Sequence, residues 1–223
     1  MFWQEDEEND QGFVIPDEIV DLVFDMKCRA LPVDHAEALH RAVNAVLPWF
    51  ADETATGLHL IHGADSGNGW ERPEDGDELL YPSRRTRLTL RLPKERVVAA
   101  ARALSGRTLD VAGYELVIGE GKTRLLSIHP SLYARYVVCG ADEGEDAFLA
   151  RAVAEMKGMG VTFKKVLCGK MHSFRSDAGT VTTRSLFVAD LRPDDAVRLQ
   201  ERGVGPGRQC GFGLFIPHKS ITK

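Results

Sequence analysis

The sequence predicts an α+β protein made of two tandem ferredoxin-like domains. The predicted elements follow the order β-α-β-β-α-β twice along the chain, which is the order of that fold. The length of 223 residues suits two domains of about 100 residues each, and the hydrophobic content of 43% is enough for two cores. We expect an acidic tail at residues 1–15, an N-terminal domain at 16–127 and a C-terminal domain at 128–223.

The first half begins with a strand and a helix that has a marked start. Alternating apolar residues predict a strand over residues 19–28. Asp34 is predicted to cap a helix that runs to Val46, because Glu37 follows three residues later as in a capping box. The rest of this half is predicted as strand 57–64, loop 66–78, strand 84–92, helix 94–104 and a strand pair over 109–118 that turns at Gly113.

The second half repeats the order of elements without repeating the residues. A hairpin across "RSDAG" should separate its two helices, and Pro193 should open the second of them. The predicted elements are strand 132–139, helix 145–157, hairpin strands 161–174 and 180–191, helix 193–202 and strand 212–217.

Charge is distributed unevenly along the chain. Residues 1–21 contain 8 of the 33 acidic residues and no Lys or Arg, which leaves 25 acidic against 28 basic residues in the remainder. The body of the protein is therefore mildly basic although the whole chain carries −5. The acidic segment is either a solvated tail or a mimic of nucleic acid that covers a basic groove.

Several classes of protein are not favoured by the composition. No apolar run approaches the ~18 residues of a membrane span, and the acidic start is unlike a signal peptide. Four scattered cysteines without a CxxC pair argue against zinc and favour reduced thiols in a cytosolic protein. We therefore expect no metal, no cofactor and no membrane partner.

Two groups of basic residues are candidates for binding a phosphate backbone. Arg85, Arg87 and Arg91 alternate along one predicted strand and should share a face, which is either a phosphate-binding or a solvated face. The second group lies on or beside the predicted hairpin, where it either grips RNA or protects a strand edge. Its members are Lys164, Lys165, Lys170, His172, Arg175 and Arg184.

A glycine-rich loop, "GVGPGRQCGFG", precedes the last predicted strand. Because the loop follows a helix and precedes a strand, it does not match the dinucleotide-binding GxGxxG pattern, which follows a strand. Glycines at these positions would instead permit positive φ or the close approach of a nucleic-acid backbone. The RNA-binding candidates in this loop are Gly205, Gly207, Arg208, Gly211 and Gly213.

His59 and His62 flank the short predicted strand and are the histidines most suited to proton transfer. Three residues apart on a strand, they should face opposite sides, so a shared metal is not expected. An imidazole with an ordinary pKa can exchange protons near neutrality. The other histidines are interpreted as packing, linker or surface residues.

The chain resembles the CRISPR-associated endoribonucleases of the sixth Cas family, within the RAMP superfamily. The resemblance covers about residues 16–219 and is carried by "LPVDHAEALHRAVNAVLPW", "GLHLIHGADSGNGWERPED", "YPSRRTRLTLRLPKE", "TTRSLFVADL" and "GVGPGRQCGFGLFIPHK". These segments are similar to the branch labelled with the MYXAN subtype. The resemblance implies that the protein binds CRISPR repeat RNA, cuts precursor crRNA and then joins other Cas effector subunits.

The resemblance also implies a chemistry and places the catalytic residues. The 2′-hydroxyl would attack the scissile phosphate without a metal, leaving a 2′,3′-cyclic phosphate and a 5′-hydroxyl. The catalytic histidine would be His59, with His62 as the second choice. Apart from what the resemblance implies, we expect Arg84 or Arg85 to supply positive charge and Ser66 or Tyr81 a hydrogen bond.

The sequence departs from the family pattern in one respect, which keeps other functions open. Some members use a tyrosine of the first helix and a nearby lysine, but residues 34–46 contain no tyrosine and no lysine lies between Lys27 and Lys94. A subunit that binds crRNA without cutting it is therefore the main alternative. An unrelated small-molecule enzyme on the same fold is a third hypothesis, although paired carboxylates and metal-ligand clusters are missing from the sequence.

Overall fold

The computed structural model describes residues 12–63 and 72–218. The described chain folds into two ferredoxin-like domains, as the sequence predicts. The predicted acidic tail lies mostly outside the described residues. Among the described residues, none of the helices is long and apolar enough to cross a membrane.

The N-terminal domain is built on an antiparallel sheet with its two helices on one face. Its strand order is β3-β5-β1-β7-β6, so the first four strands have the ferredoxin-like arrangement and β6 extends the edge. Leu22, Phe24, Leu88 and Leu90 point from the sheet into the core beneath the helices. In chain order the elements are β1 (Ile19–Cys28), β2 (Leu31–Pro32), α1 (Ala36–Val46), β3 (Gly57–Leu58), β4 (Leu79–Leu80), β5 (Arg87–Pro93), α2 (Lys94–Leu104), β6 (Thr108–Val111) and β7 (Tyr114–Arg124).

The C-terminal domain has the same arrangement with a strand order of β11-β8-β10-β9. Phe148 of its first helix and Leu199 of its second pack against Leu186 and Phe215 of the sheet. The elements are β8 (Leu132–Cys139), α3 (Glu145–Gly158), β9 (Lys165–Ser176), β10 (Gly179–Ala189), α4 (Pro193–Arg202) and β11 (Phe215–Pro217).

Several predicted boundaries differ from the structure. The last strand begins at Phe215 rather than 212, and the strand predicted at 57–64 is confined to Gly57–Leu58. Strand β7 continues to Arg124, well beyond the predicted end at residue 118, and pairs along most of β1. Each difference arises where pairing with a neighbouring strand, rather than local alternation, sets the length.

The predicted cap of α1 is wrong. His35 stands at the N-cap position and no side chain caps the helix. The Asp34 carboxylate instead accepts hydrogen bonds from the guanidinium of Arg72 at 2.8 Å and from the backbone N–H of Arg175 at 2.9 Å. Because Arg175 belongs to β9, Asp34 joins the two domains instead of capping its own helix.

Arg91 corrects the interpretation of the arginine strand. Its side chain is buried at 1% exposure rather than presented to a partner. It forms two hydrogen bonds with the Asp21 carboxylate, at 2.9 and 3.2 Å, and donates to the carbonyl oxygens of Gln200 and Phe215. Since these two carbonyls belong to the C-terminal domain, Arg91 fixes the docking of the two sheets.

The glycine-rich loop is shaped largely by contacts within the protein. All five of its glycines have positive φ. A Cβ added to Gly213 would collide with the carbonyl oxygen of Val204, and one added to Gly211 would collide with Leu60. Gly203 and Gly207 are equally confined, by Gly213 and Phe212, whereas only Gly205 has ordinary clearance. Close packing of the chain on itself therefore accounts for four glycines without an RNA backbone.

We expect Gly213→Ala to lower the free energy of unfolding by about 2 kcal/mol or more, because it adds both backbone strain and a backbone collision. The matched control is Gly113→Ala, which has a similar φ of +84° but no atom within 4 Å of the added Cβ. Urea unfolding of both variants measures the difference. Equal losses would show that φ alone, and not the collision, determines the requirement for glycine.

Candidate active site

The candidate catalytic histidines lie on a segment that leaves β3 and runs between the two domains. The backbone N–H of His59 donates to the carbonyl of Thr89 on β5 at 2.9 Å, which continues the pairing of β3 for one residue. Beyond it the segment is irregular, and it enters the undescribed residues 64–71. Both imidazoles therefore face the domain boundary rather than the interior of one domain.

His59 lies beside the buried ion pair that joins the domains. Its Nε2 is 3.8 Å from Asp21 Oδ1, and 17% of its side chain is exposed. That nitrogen has no hydrogen-bond partner among the described residues. Asp21 is therefore placed to orient the ring and to stabilise the positive charge that would form on protonation.

Burial and the charge of three arginines keep this histidine neutral. Burial, followed by the positive charge of Arg91, lowers the pKa of His59 to about 4, although Asp21 acts in the opposite direction. Arg124 and Arg208 add smaller effects in the same direction as Arg91. His59 is accordingly a neutral imidazole near pH 7, the form that accepts a proton.

Arg208 brings the glycine-rich loop to this site. Its Nη1 donates to the carbonyl of Arg202 at 2.9 Å, while Nε and Nη2 are buried without a hydrogen-bond partner among the described residues. Burial and the proximity of Arg91 lower the pKa of Arg208 to about 10. An arginine with two unused donors beside an excess of positive charge is suited to holding an anion.

His62 occupies a separate, aromatic part of the domain boundary. Its ring centroid is 6.0 Å from that of Tyr136, which in turn lies 5.5 Å from His172 and 4.8 Å from Phe174. Burial, with the positive charge of Arg135 next, lowers the pKa of His62 well below its ordinary value. The two histidines thus have different surroundings, but the strand from which opposite faces were expected ends at Leu58, before either of them.

His35 is a third buried imidazole and has a structural role. Its Nδ1 donates to the carbonyl of Pro32 at 2.9 Å, and its Nε2 accepts the N–H of Ile61 at 3.2 Å. The ring therefore fixes the segment between the two candidate catalytic histidines. Burial lowers its pKa from the ordinary value of 6.5 to about 4.

We expect the free energy of unfolding to decrease as the pH falls from 6.5 towards 4. In that window His35 and His59 take up protons in the unfolded state but remain neutral in the folded state, so acid favours unfolding. Urea unfolding at pH 7, 6 and 5 measures the slope, which His35→Gln should reduce. An unchanged slope in that variant would contradict the role of His35.

The other predicted catalytic residues do not join the histidines. Arg84 lines an open groove of about 1150 Å³ together with Lys27 and Tyr114, away from both imidazoles. Ser66 lies outside the described residues. Among the described residues, the arginines whose charge acts on His59 are Arg91 of β5, Arg124 of β7 and Arg208 of the glycine-rich loop, and a catalytic role for Arg84 remains a prediction.

Arg85 and Arg87 are exposed near the start of β5, and Arg87 forms an ion pair with Asp25 at 3.0 Å. Arg87 lies on the side of the N-terminal sheet opposite its helices, four residues from Arg91, whereas Arg85 lies in the turn before the strand. At about 3.3 Å per residue, Arg87 is about 13 Å from Arg91 along the strand. Their binding to RNA remains a prediction.

The basic hairpin divides into residues with different surroundings. Lys164, Lys165 and Lys170 are exposed, and Lys165 lies 3.9 Å from Asp190. The Arg175 guanidinium is bound to the carboxylates of Asp77 and Asp34. These ion pairs connect the hairpin to the N-terminal domain, a role that the sequence analysis missed.

Two hairpin residues are not part of an exposed basic edge. His172 is half-buried against Tyr136 at the domain boundary. Arg184 acts electrostatically on Cys139 and Cys168, which pack on the helix-covered side of the sheet. Arg184 therefore lies towards the helix-covered side of the sheet, and its contact with RNA remains a prediction.

Metal coordination is not indicated by the side chains that the structure describes. No group of three or more His, Cys, Asp or Glu residues within 12–63 and 72–218 is arranged to hold a metal ion. The four cysteines are free thiols, and burial raises the pKa of each.

The fold and the site together define a protein of two tandem ferredoxin-like domains with two histidines between them. A family model described as "Cas6 Crispr" matches residues 20–220. The chain is 31% identical to the CRISPR-associated endonuclease Cas6 of Myxococcus xanthus over 89% of this chain and 81% of that protein. The chain belongs to the Cas6 family.

Solved structures agree with this assignment at the level of the fold. A Cas6-related protein from Pyrococcus furiosus superposes with a TM-score of 0.58 at 11% identity, covering 89% of this chain and 98% of the other. Thermus thermophilus Cse3, solved with an RNA representing a pre-cleavage complex, gives a TM-score of 0.50 at 16% identity over 89% of this chain and 98% of the other.

Proposed function

We propose that this protein is an endoribonuclease that binds CRISPR repeat RNA and cuts precursor crRNA into guide units without a metal ion. The observation that carries the proposal is the neutral His59 held between Asp21 and three arginines at the domain boundary. Membership of the Cas6 family and the endonuclease from Myxococcus xanthus support the class of reaction.

The arrangement supports an attack by the ribose 2′-hydroxyl on the neighbouring phosphate. His59 takes the hydroxyl proton as general base, and Asp21 stabilises the resulting imidazolium. Arg208 and Arg124 offset the additional negative charge of the phosphorane. The bond to the 5′-oxygen then breaks, leaving a 2′,3′-cyclic phosphate on one product and a 5′-hydroxyl on the other.

The proton required by the leaving 5′-oxygen can come from a second group at the boundary. His62 is the candidate on this chain, since it belongs to the same segment and faces the cluster of Tyr136 and His172. Negative charge from bound RNA opposes the effect of Arg135 and raises the pKa of His62. The two histidines thus divide the roles that a single imidazole would otherwise perform in sequence.

Cleavage of a repeat RNA in the presence of EDTA tests the proposal. The substrate is the repeat from the CRISPR array of the same genome, and the expected result is one discrete cut whose rate EDTA does not change. Loss of cleavage on adding EDTA, with recovery on adding Mg²⁺, would refute the metal-free mechanism. Tight binding of the repeat without any cut would favour the crRNA-binding subunit as the function.

A further inference from the structure

The sheet of the C-terminal domain has an outer face that the rest of the described protein covers only in part. Its upper portion, containing Tyr136 and Phe174, packs against Ala36 and Leu60 of the N-terminal domain. Its lower portion carries Tyr133 and Phe187, which are only half-buried. Aromatic side chains on the open face of a four-stranded sheet therefore lie next to the domain boundary.

Strand register aligns these two rings with one residue of each outer strand. Phe187 of β10 is directly opposite Tyr133 of β8 on one side and Leu167 of β9 on the other, and Ile216 of β11 is opposite Tyr133. Partners in an antiparallel pair point to the same face. These four side chains therefore form one line across all four strands.

The residues before and after each ring show towards which face of the sheet the ring points. Leu132 and Ala134 flank Tyr133, and Leu186 and Val188 flank Phe187; all four are buried beneath the helices. Because successive residues of a strand point to opposite faces, both rings point away from the helices. Leu167, which pairs with Phe187 from the edge strand, is 62% exposed.

A third ring completes the cluster. His218 follows β11 and is exposed, with its ring centroid 5.5 Å from Tyr133 and 5.3 Å from Phe187. The last strand thus ends by placing an imidazole against both aromatic rings. We call Tyr133, Phe187 and His218 the aromatic row.

Positive charge connects the aromatic row with the candidate active site. Arg135 lies on β8 between Tyr133 and Tyr136, with its guanidinium carbon 5.9 Å from the centre of the Tyr133 ring. Its charge also acts on His62 and on Tyr136. At about 3.3 Å per residue, Tyr133 is about 10 Å along the strand from Tyr136.

We propose that the aromatic row is a stacking platform for unpaired ribonucleotides of the RNA substrate. These nucleotides would lie on the side of the cut where the RNA passes from the histidines across Arg135 to the row. Two aromatic residues on adjacent central strands, next to a cation, are the arrangement by which four-stranded sheets stack single-stranded bases. An apolar protein partner would not require the cation at this position. The identity of the RNA rests on the function proposed above.

The test measures binding of RNA to the full chain by fluorescence anisotropy. The two probes are the repeat RNA with a 2′-deoxy residue at its mapped cut position, and the same RNA trimmed of the unpaired nucleotides that flank its stem. We expect the double variant Tyr133→Leu/Phe187→Leu, which keeps apolar bulk but removes the rings, to bind the untrimmed RNA about tenfold or more weakly. Binding of the trimmed RNA should not change.

Two further variants separate stacking from folding. Tyr133→Phe/Phe187→Tyr keeps both rings and should bind the untrimmed RNA as the unchanged protein does. Tyr114→Leu removes a half-buried tyrosine of the N-terminal domain and is the matched control for the substitution itself. Melting temperatures of all variants identify any loss that comes from unfolding.

A direct readout identifies the nucleotides involved. The base analogue 2-aminopurine, placed in turn at each unpaired position, should be quenched on binding at one or two positions, and that quenching should disappear in the double leucine variant. If the double leucine variant binds the untrimmed RNA as tightly as the unchanged protein does, with quenching intact, the proposal is overturned and a protein partner is left as the occupant. If the unchanged protein binds and quenches the RNA but never cuts it, the proposed nuclease function fails while the platform stands.

Discussion

His59→Ala should reduce the rate of repeat RNA cleavage by about 100-fold or more, while the affinity for that RNA changes little. The variant removes the proton acceptor, and general acid–base catalysis typically contributes factors of this size. It leaves the arginines around the site in place, so the charge that attracts the phosphate persists. Single-turnover cleavage and binding of a 2′-deoxy repeat measure the two quantities separately.

A matched control and a second histidine make this prediction specific. His129→Ala removes an imidazole of the connection between the domains, where the ring is hydrogen-bonded to Ser131, and should cleave at the rate of the unchanged protein. His62→Ala should also slow cleavage if it protonates the leaving oxygen. Full activity of His59→Ala together with an inactive His62→Ala would transfer the role of general base to His62.

Arg91→Met should lower the free energy of unfolding by about 3 kcal/mol, the largest stability effect that we expect from a single side chain. The variant leaves the Asp21 carboxylate buried beside a neutral His59, with the largely exposed Arg124 as its remaining cation, and a poorly compensated buried charge is strongly unfavourable. It also removes the donors to Gln200 and Phe215, so the two domains lose a direct connection. Urea unfolding measures the change.

The double variant Asp21→Val/Arg91→Met shows where that energy comes from. If the cost arises mainly from the unpaired carboxylate, removing both charges should cost less than removing Arg91 alone, because a buried ion pair adds little net stability over apolar packing. A double variant that is as unstable as Arg91→Met would locate the cost in the lost contacts to the C-terminal domain. Arg87→Met, an exposed arginine of the same strand, should change stability by less than about 1 kcal/mol.

The fold could be predicted from the sequence because its elements carry local signals. Alternation in β1 and the apolar periodicity of α1 arise from the helix-covered core of the N-terminal domain, and the order of the elements then implies the sheet topology. Strand lengths could not be predicted in the same way. β7 extends to Arg124 because β1 pairs with it, and that pairing has no local signature.

The site was predictable only in part because it is formed between the domains. The sequence indicates that His59 and His62 face different surroundings, but the Asp21 carboxylate comes from a strand 38 residues earlier in the chain. Arg91 looks like any other outward-facing strand arginine until the second domain covers it. No local signal separates the two residues from their neighbours, because Asp25 and Lys27 also stand in β1 and Arg87 also stands in β5.

The glycine-rich loop was recognised from the sequence, but the reason that it requires glycines is different. The sequence predicts positive φ or room for RNA at these glycines; all five have positive φ, but Gly211 and Gly213 leave room for Leu60 and Val204. Tight packing of the loop nevertheless places Arg208 beside His59, where charge is required. Contact of this loop with RNA remains a prediction that now depends on Arg208 rather than on bare backbone.

The proposed mechanism requires that a neutral imidazole at the domain boundary activates a ribose hydroxyl. Removing that one hydroxyl from the RNA substrate tests this requirement. Purified protein is incubated with the all-ribose repeat and with the same RNA carrying a single 2′-deoxy residue just upstream of the cut. If His59 activates that hydroxyl, the first RNA yields a 2′,3′-cyclic phosphate and a 5′-hydroxyl, and the second is bound but stays intact. Cleavage of the deoxy-substituted RNA at the same position would contradict it.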